Sequence, residues 1–147
     1  MPLNGTWSSA TFHSIYRSPM TDTPDLTATI TETVSRYLHL IATGTADQIL
    51  ELFAEDASVE DPVGTAPRVG STEIREFFAS LGALERTTTL QSLRVCGQEA
   101  AFQFRIAFDA GDGPLHLEPI DIMTFDVDGK ITSVRSFFSA SDIKAAE

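Results

Sequence analysis

Three polar side chains fall where the sequence pattern predicts burial. Tyr37 lies on the apolar stripe of a helix, Asp61 lies on the inner face of a short strand, and Glu118 shares a strand face with Ile120 and Ile122. A buried carboxyl group without a cationic partner is costly to ionise, so its pKa rises. Two such acids and a phenol in one pocket would form an acid/base set. One carboxylate would move a proton while the other groups donate hydrogen bonds to an oxygen that becomes negative.

Each of these residues also has a structural explanation. A tyrosine on a helical apolar stripe usually belongs to the core, and an aspartate before a proline, here Pro62, often ends a strand. Pro119 favours a bulge or a sheet edge directly after Glu118. Such an irregularity could place Glu118 on the strand face opposite to the one that the alternation predicts. Asp121, on the alternate face, is the competing candidate for the second buried acid. The residues alone leave both an enzyme and a passive binding pocket open.

Other chemistries have little support in the sequence. The histidines His13, His39 and His116 have no partners at metal-ligand spacing, and the pair formed by His116 and Glu118 on one strand is a weak signal. The segment Asp126–Gly129 begins like a calcium loop but lacks the downstream glutamate, so it predicts a turn. There is no glycine-rich phosphate loop and no Gly-x-Ser-x-Gly motif. We therefore expect no metal site, no nucleotide binding and no serine hydrolase chemistry.

Charge and composition restrict the possible partners. The 147 residues include 21 acidic and 10 basic side chains, which give a net charge of -11 without any basic cluster. Nucleic acid and anionic membranes are therefore not expected as partners, whereas a small ligand is. No apolar run reaches the length of a membrane span, and the single cysteine, Cys96, fits a reducing compartment. These features favour a cytoplasmic protein.

The periodicity predicts an α+β domain. Three helices are expected, from about Thr23–Asp25 to Gly44, after Thr45, and from Ser71 to Gly82. One strand lies between the second and third helices, and four follow the third: Ala57–Asp61, then Thr87–Val95, Ala100–Asp109, Leu115–Phe125 and Ile131–Ser139, with a hairpin at Asp128–Gly129. A curved sheet that wraps around helices leaves an apolar pocket.

The chain is expected to form one domain with flexible ends. Residues 1–22 are rich in Ser and Thr and have no apolar period, so they are interpreted as a flexible extension. Residues 23–142 form the domain, and residues 143–147 form a C-terminal tail.

Several motifs resemble one enzyme family. They are Arg36–Leu38, the segment Phe53–Gly64 with its Glu-Asp-Pro-x-Gly sequence, and Ile120–Asp126 followed by Gly129–Ile131. Together they resemble the bacterial Δ5-3-ketosteroid isomerases, and the resemblance covers about Asp25 to Ser139. Those enzymes belong to the cone-shaped superfamily of nuclear transport factor 2 and SnoaL-like proteins. The resemblance implies three N-terminal helices packed in a curved mixed or antiparallel sheet, and a homodimer.

The resemblance also implies roles for the three polar residues. Asp61 would be the general base, Tyr37 the first oxyanion donor and Glu118 the second, in a position where the family has an aspartic acid. The reaction would be a cofactor-independent shift of the double bond of a 3-oxo-Δ5-steroid through a dienolate. Phe53 and Phe78 stand where some family members have tyrosines, and Phe138 stands near a tryptophan position. The predicted substrate-binding residues are Phe53, Val63, Phe78, Phe104, Met123 and Phe138.

Two alternatives to the isomerase remain from the sequence. One is a non-catalytic protein of the same fold that binds a steroid or a polyketide-like molecule. The other is a related cyclase or dehydratase, because the same acid/base set serves any enolisable ketone.

Overall fold

Helices precede most of the strands in a computed structural model that describes residues 8–16, 25–82 and 84–146. The helices are α1 (Ser9–Tyr16), α2 (Thr27–Thr43), α3 (Ala46–Leu50) and α4 (Ser71–Leu81). The strands are β1 (Phe53–Glu60), β2 (Arg68–Val69), β3 (Arg86–Cys96), β4 (Glu99–Asp109), β5 (Pro114–Leu117), β6 (Ile120–Phe125), β7 (Ile131–Phe137) and β8 (Lys144–Ala145). A 3-10 turn, Ala140–Asp142, lies before β8.

The strands form one mixed sheet. Its order is β2-β1-β7-β6-β4-β5-β8, and β3 pairs with the free side of β4. Strands β1 and β7 are parallel, whereas the other paired strands are antiparallel. Strand β4 pairs with β6 over Glu99–Gln103 and with β5 over Ile106–Asp109. The predicted α+β class is confirmed.

The predicted strand Leu115–Phe125 is two strands, because its pairing stops at Glu118 and Pro119. Proline has no N–H group to donate to a neighbouring strand. The Pro119 carbonyl instead accepts a hydrogen bond of 3.4 Å from the Phe104 N–H. This interruption decides which acidic residue points into the molecule, as shown below.

The ends of the helices follow from local capping. The Asp25 carboxylate accepts a 2.9 Å hydrogen bond from the Thr27 N–H at the start of α2, whereas the predicted cap at Thr23 lies outside the described residues. The predicted capping box of α3 is confirmed, since Thr45 and Gln48 exchange hydrogen bonds of 2.9 and 3.2 Å.

Helices α2 and α4 pack their apolar faces against one face of the sheet. One continuous core joins buried side chains of both helices to side chains from the sheet, among them Val34, Ile74, Val59, Phe102 and Val134. Helix α2 also bonds directly to β3, where the Thr88 hydroxyl donates to the Leu38 carbonyl over 2.7 Å. The helices and the sheet therefore hold a fixed relation to each other.

The predicted hairpin joins β6 and β7. The Asp126 carboxylate accepts hydrogen bonds of 2.9 Å from the N–H groups of both Asp128 and Lys130, so Asp126 stabilises the turn. Gly129 has a φ of 81°. A Cβ atom there would lie 2.7 Å from Cγ2 of Thr29 in α2, so this turn requires glycine for both backbone and space.

The chain ends differ from a simple extension and tail. Helix α1 occupies residues that the sequence analysis assigns to a flexible extension, and the rest of residues 1–22 lies outside the described residues. At the other end, β8 pairs with β5 through Lys144 and Ala145, so the predicted tail adds a strand to the sheet edge. None of the helices in the described ranges is long and apolar enough to cross a membrane.

Candidate active site

A cavity of about 370 Å³ lies between helices α2 and α4 and the sheet. Its size is within the range of small-molecule sites. Most of its wall is apolar and includes Phe77, Phe78, Phe104, Ile106, Phe108 and Phe138. The polar side chains in the wall are Tyr37, Asp61, Arg86, Asp121 and Ser136. An apolar cavity with a few polar groups suits a mostly hydrophobic ligand that is oriented by a small number of hydrogen bonds.

Tyr37 enters the cavity from the buried face of α2. The side chain is only 3% exposed, and its ring packs edge-on against Phe53 and Phe78 with centroid distances of 6.4 and 6.1 Å. Burial and the negative charges of Asp121 and Asp61 raise the pKa of the phenol well above its ordinary value. Tyr37 therefore keeps its proton at neutral pH and can donate a hydrogen bond into the cavity.

Asp61 follows the last residue of β1 and also lines the cavity, as its spacing from buried Val59 predicts. Its backbone carbonyl accepts a hydrogen bond of 3.4 Å from Arg68. Burial raises the pKa of the Asp61 carboxyl to about 6, and the positive charge of Arg68 opposes this rise. At pH 7 Asp61 is mostly ionised, which is the state that a proton acceptor requires.

Asp121 lies on the inner face of β6 and is 2% exposed. Burial raises the pKa of its carboxyl to about 7, the charge of Asp61 adds to the rise, and a hydrogen bond from Ser136 opposes it. Within the described residues, its Oδ1 atom is buried without a hydrogen-bond partner. A buried carboxyl that holds its proton near neutral pH can donate that proton in a hydrogen bond to a ligand.

The prediction that Glu118 points into the cavity is wrong. Glu118 accepts hydrogen bonds of 2.6 and 3.0 Å from Arg105, and this contact lowers the pKa of its carboxyl. The alternation along the chain was interpreted on the wrong face. Glu118 does lie on the side of Ile120, but Ile120 is 48% exposed, so this is the outer face. The inner face carries Asp121, which the sequence had marked as the competing candidate.

The predicted substrate-binding residues divide into two groups. Phe78, Phe104 and Phe138 line the cavity. The other three do not: Phe53 and Met123 are buried in the core, and Val63 is half-buried in the loop after Asp61.

Several residues of the cavity wall were missed by the sequence analysis. Ile106 and Phe108 could have been found, because they follow Phe104 at two-residue spacing on β4. Arg86 gave no comparable signal, since it stands alone at the start of a threonine-rich strand.

No three His, Cys, Asp or Glu side chains are grouped closely enough to hold a metal ion in the part of the chain that the structure describes. The polar set of the cavity consists of two carboxyl groups, a phenol, a hydroxyl and a guanidinium. These groups can accept a proton at one point and donate hydrogen bonds at others.

Comparison with known proteins identifies the family. The SnoaL-like domain matches residues 34–134, which include Tyr37, Asp61 and Asp121. The chain belongs to the SnoaL-like family. This SnoaL-like protein is 42% identical over 118 residues to a steroid Delta-isomerase of Nocardioides simplex, a match that covers 80% of this chain and 96% of the relative. The family predicted from the sequence motifs is thereby confirmed.

Two solved structures share the fold of the SnoaL-like protein. SalBIII, an epoxide hydrolase/cyclase-like enzyme with a role in pyran ring formation in polyether salinomycin, is 30% identical with a TM-score of 0.76. That match covers 81% of this chain and 97% of SalBIII. RV0760c from Mycobacterium tuberculosis is 17% identical with a TM-score of 0.73, covering 79% of this chain and 95% of RV0760c, and supports the fold alone.

Proposed function

We propose that the protein is a cofactor-independent steroid Δ-isomerase that moves the double bond of a 3-oxo-Δ5-steroid into conjugation with the ketone. The relative from Nocardioides simplex supports this reaction. The observation that carries the proposal is that Tyr37, Asp61 and Asp121 line one apolar cavity, where the charge of Asp61 raises the pKa values of Tyr37 and Asp121. The substrate is a flat apolar molecule whose enolisable ketone lies beside Tyr37, Asp61 and Asp121.

The reaction would proceed in two proton transfers. The Asp61 carboxylate removes a proton from carbon 4, between the carbonyl and the double bond, and the electron pair of that C–H bond moves toward the carbonyl oxygen to form a dienolate. The Tyr37 hydroxyl and the Asp121 carboxyl donate hydrogen bonds to this oxygen. Asp61 then returns the proton to carbon 6, the carbonyl re-forms, and the double bond lies between carbons 4 and 5. No proton is gained or lost overall.

The charge states of the two acids support this division of roles. Arg68 favours the ionised form of Asp61, whereas Asp121 is more deeply buried and has the higher pKa, about 7 against about 6. When two nearby acids share a pocket, the one with the lower pKa ionises first, and its charge helps the other to retain its proton. Asp121 is an aspartic acid, so the departure from the family that Glu118 would have required does not arise.

The proposal is tested by Asp61→Asn with 5-androstene-3,17-dione as substrate. The absorbance of the conjugated product reports turnover directly. Because the amide cannot accept the proton, we expect the rate to fall by at least 10²- to 10⁴-fold, the usual contribution of a general base, while the steroid still binds.

Glu118→Gln is the matched control, since it removes a carboxylate of the same region that lies outside the cavity. It should isomerise at the parental rate. An active Asp61→Asn protein, or an inactive Glu118→Gln protein, would contradict the assignment.

The similarity to SalBIII supports a second candidate function. The protein would then be a cyclase that uses the same acid/base set on a substrate other than a steroid. Binding of the steroid without any change in absorbance would favour that candidate or a non-catalytic carrier. Loss of steroid binding altogether would remove the steroid as the substrate class.

We also propose a homodimer that forms through the outer face of the sheet. Ile120 and Phe137 are paired across β6 and β7 on that face and are 48% and 39% exposed. Two exposed apolar side chains side by side favour a protein partner. Sedimentation of the parent and of Ile120→Lys would test the dimer, which the added charge should dissociate.

We also propose a cytoplasmic location, which the exposed thiol of Cys96 fits.

A further inference from the structure

Arg86 is the only cationic side chain among the described residues that line the cavity. Its guanidinium is held in place by three backbone carbonyls. Nε donates to the Ile41 carbonyl over 2.9 Å, and Nη1 donates to the carbonyls of Leu81 and Leu84, the latter over 3.0 Å. All three of these residues line the same cavity. The guanidinium is therefore fixed in the cavity wall.

Part of the hydrogen-bonding capacity of Arg86 is unused. A guanidinium carries five N–H donors, two of them on Nη2. Within the described residues, Nη2 has no hydrogen-bond partner and Arg86 forms no ion pair. The charge is offset instead by the C-terminal ends of α2 and α4, where Ile41 and Leu81 lie in the last turns. A rigid, positively charged donor pair thus remains free for a ligand.

Arg86 and the acid/base set lie at different ends of the cavity. Asp121 pairs with Phe102 of β4, whereas Arg86 pairs with Phe108 of the same strand. Six residues along a strand span about 20 Å. On the helix side, the Ile41 carbonyl that holds Arg86 lies one turn beyond Tyr37, about 6 Å farther along the axis. The apolar middle of the cavity separates the two polar ends.

We propose that Arg86 binds an acceptor oxygen at the end of the substrate opposite the ketone that is enolised. The inference rests on the proposed isomerase function and specifies which steroids the cavity binds best. The cavity selects steroids with an oxygen on the last ring, such as a 17-ketone, over steroids with a bare last ring. Arg86 is a binding residue in this scheme and takes no part in proton transfer.

The test compares 5-androstene-3,17-dione with 5-androsten-3-one, which lacks the oxygen at carbon 17. A hydrogen bond to a charged group contributes about 10- to 100-fold in affinity. We expect kcat/KM for 5-androsten-3-one to be lower by that factor, mostly through KM, because the contact is remote from the reacting carbons. The dissociation constants of the two conjugated products, measured by calorimetry, should differ by a similar factor.

Arg86→Lys provides the second measurement, because an ammonium engaged by the helix carbonyls has no donor pair left for the ligand. We expect it to bring the two substrates to similar kcat/KM values. Arg94→Lys is the matched control on the same strand, where Arg94 bonds only the neighbouring Leu93 carbonyl within the described residues, and it should preserve the parental ratio. Thermal unfolding of both variants reports whether they fold.

The outcomes separate this inference from the proposed function. Equal kcat/KM values or equal dissociation constants for the two compounds in the parent protein would overturn the role of Arg86, whatever the variants show. Failure of the product that carries the 17-ketone to bind would overturn it too. A protein that binds the 17-ketone more tightly but isomerises neither substrate would refute the isomerase while supporting Arg86 as a binding residue.

Discussion

Replacing Asp121 by asparagine should change how the stability of the protein depends on pH. The pKa of Asp121 rises from 3.8 to about 7 on folding because the carboxyl is buried. Between these two values the folded state holds a proton that the unfolded state has released, so the free energy of unfolding falls as pH rises. Asparagine has nearly the same shape but does not ionise.

The magnitude follows from the span of pH over which only the folded state is protonated. The difference is close to one proton from pH 5 to pH 6, falls to about one half at pH 7, and is small at pH 8. Each proton lost over one pH unit corresponds to about 1.4 kcal/mol, so the effect sums to about 3 kcal/mol between pH 5 and pH 8. We therefore compare the free energy of unfolding of Asp121→Asn with that of the parent at each pH. Between pH 5 and pH 8 this difference should shift by about 3 kcal/mol in favour of the variant. Any slope that remains in the variant belongs largely to Asp61, whose pKa is raised too.

Urea unfolding at pH 5, 6, 7 and 8 measures the effect without any substrate. Glu118→Gln is the control for a carboxyl group whose pKa is shifted in the opposite direction. Arg105 lowers the pKa of Glu118, so the stabilisation that the ionised Glu118 gives to the fold is lost only at acid pH. Parallel stability curves for the parent and Asp121→Asn from pH 5 to 8 would refute the reasoning, since they would show that Asp121 carries no extra proton in the folded state.

Three further predictions concern the rate and the fold. The acid limb of kcat/KM should have a midpoint near pH 6, the pKa of Asp61, and Arg68→Met should move it to higher pH in isomerisation assays, because Arg68 favours the ionised form. Tyr37→Phe should lower kcat by about 10²- to 10³-fold, the usual effect of removing one oxyanion donor; a rate within a few-fold of the parent would exclude that role. Gly129→Ala should lower the free energy of unfolding by about 1–3 kcal/mol in urea titrations, because it combines a φ of 81° with a contact of 2.7 Å to a methyl carbon of α2. Gly97→Ala, with a φ of 58° and open space around it, should be less destabilising.

Local patterns in the sequence were sufficient to predict most helices and strands and the inward orientation of Tyr37 and Asp61. The capping box at Thr45 depends only on residues three apart, and the apolar stripe of α2 fixes which side of that helix is buried. Tyr37 lies within that stripe, and Asp61 continues the alternation of a strand that already has a buried valine. Such patterns are local, so no knowledge of the rest of the chain is needed to interpret them.

The choice between Glu118 and Asp121 could not be made locally. Alternation shows that the two side chains point to opposite faces, but it does not show which face the helices cover. That depends on how β6 pairs with β4 and β7 and on where α2 and α4 pack, which are contacts between distant parts of the chain.

The sequence by itself determined the α+β class, the family and the presence of a phenol and an aspartate on buried faces. Only the tertiary structure decided that Asp121 lines the cavity with Tyr37 and Asp61, that Glu118 pairs with Arg105 on the outer face, and that Arg86 lies in the cavity wall. The physical reason is that periodicity fixes the relative orientation of neighbouring side chains. Their absolute environment, and with it their pKa, is set by the packing of elements that are far apart in the chain.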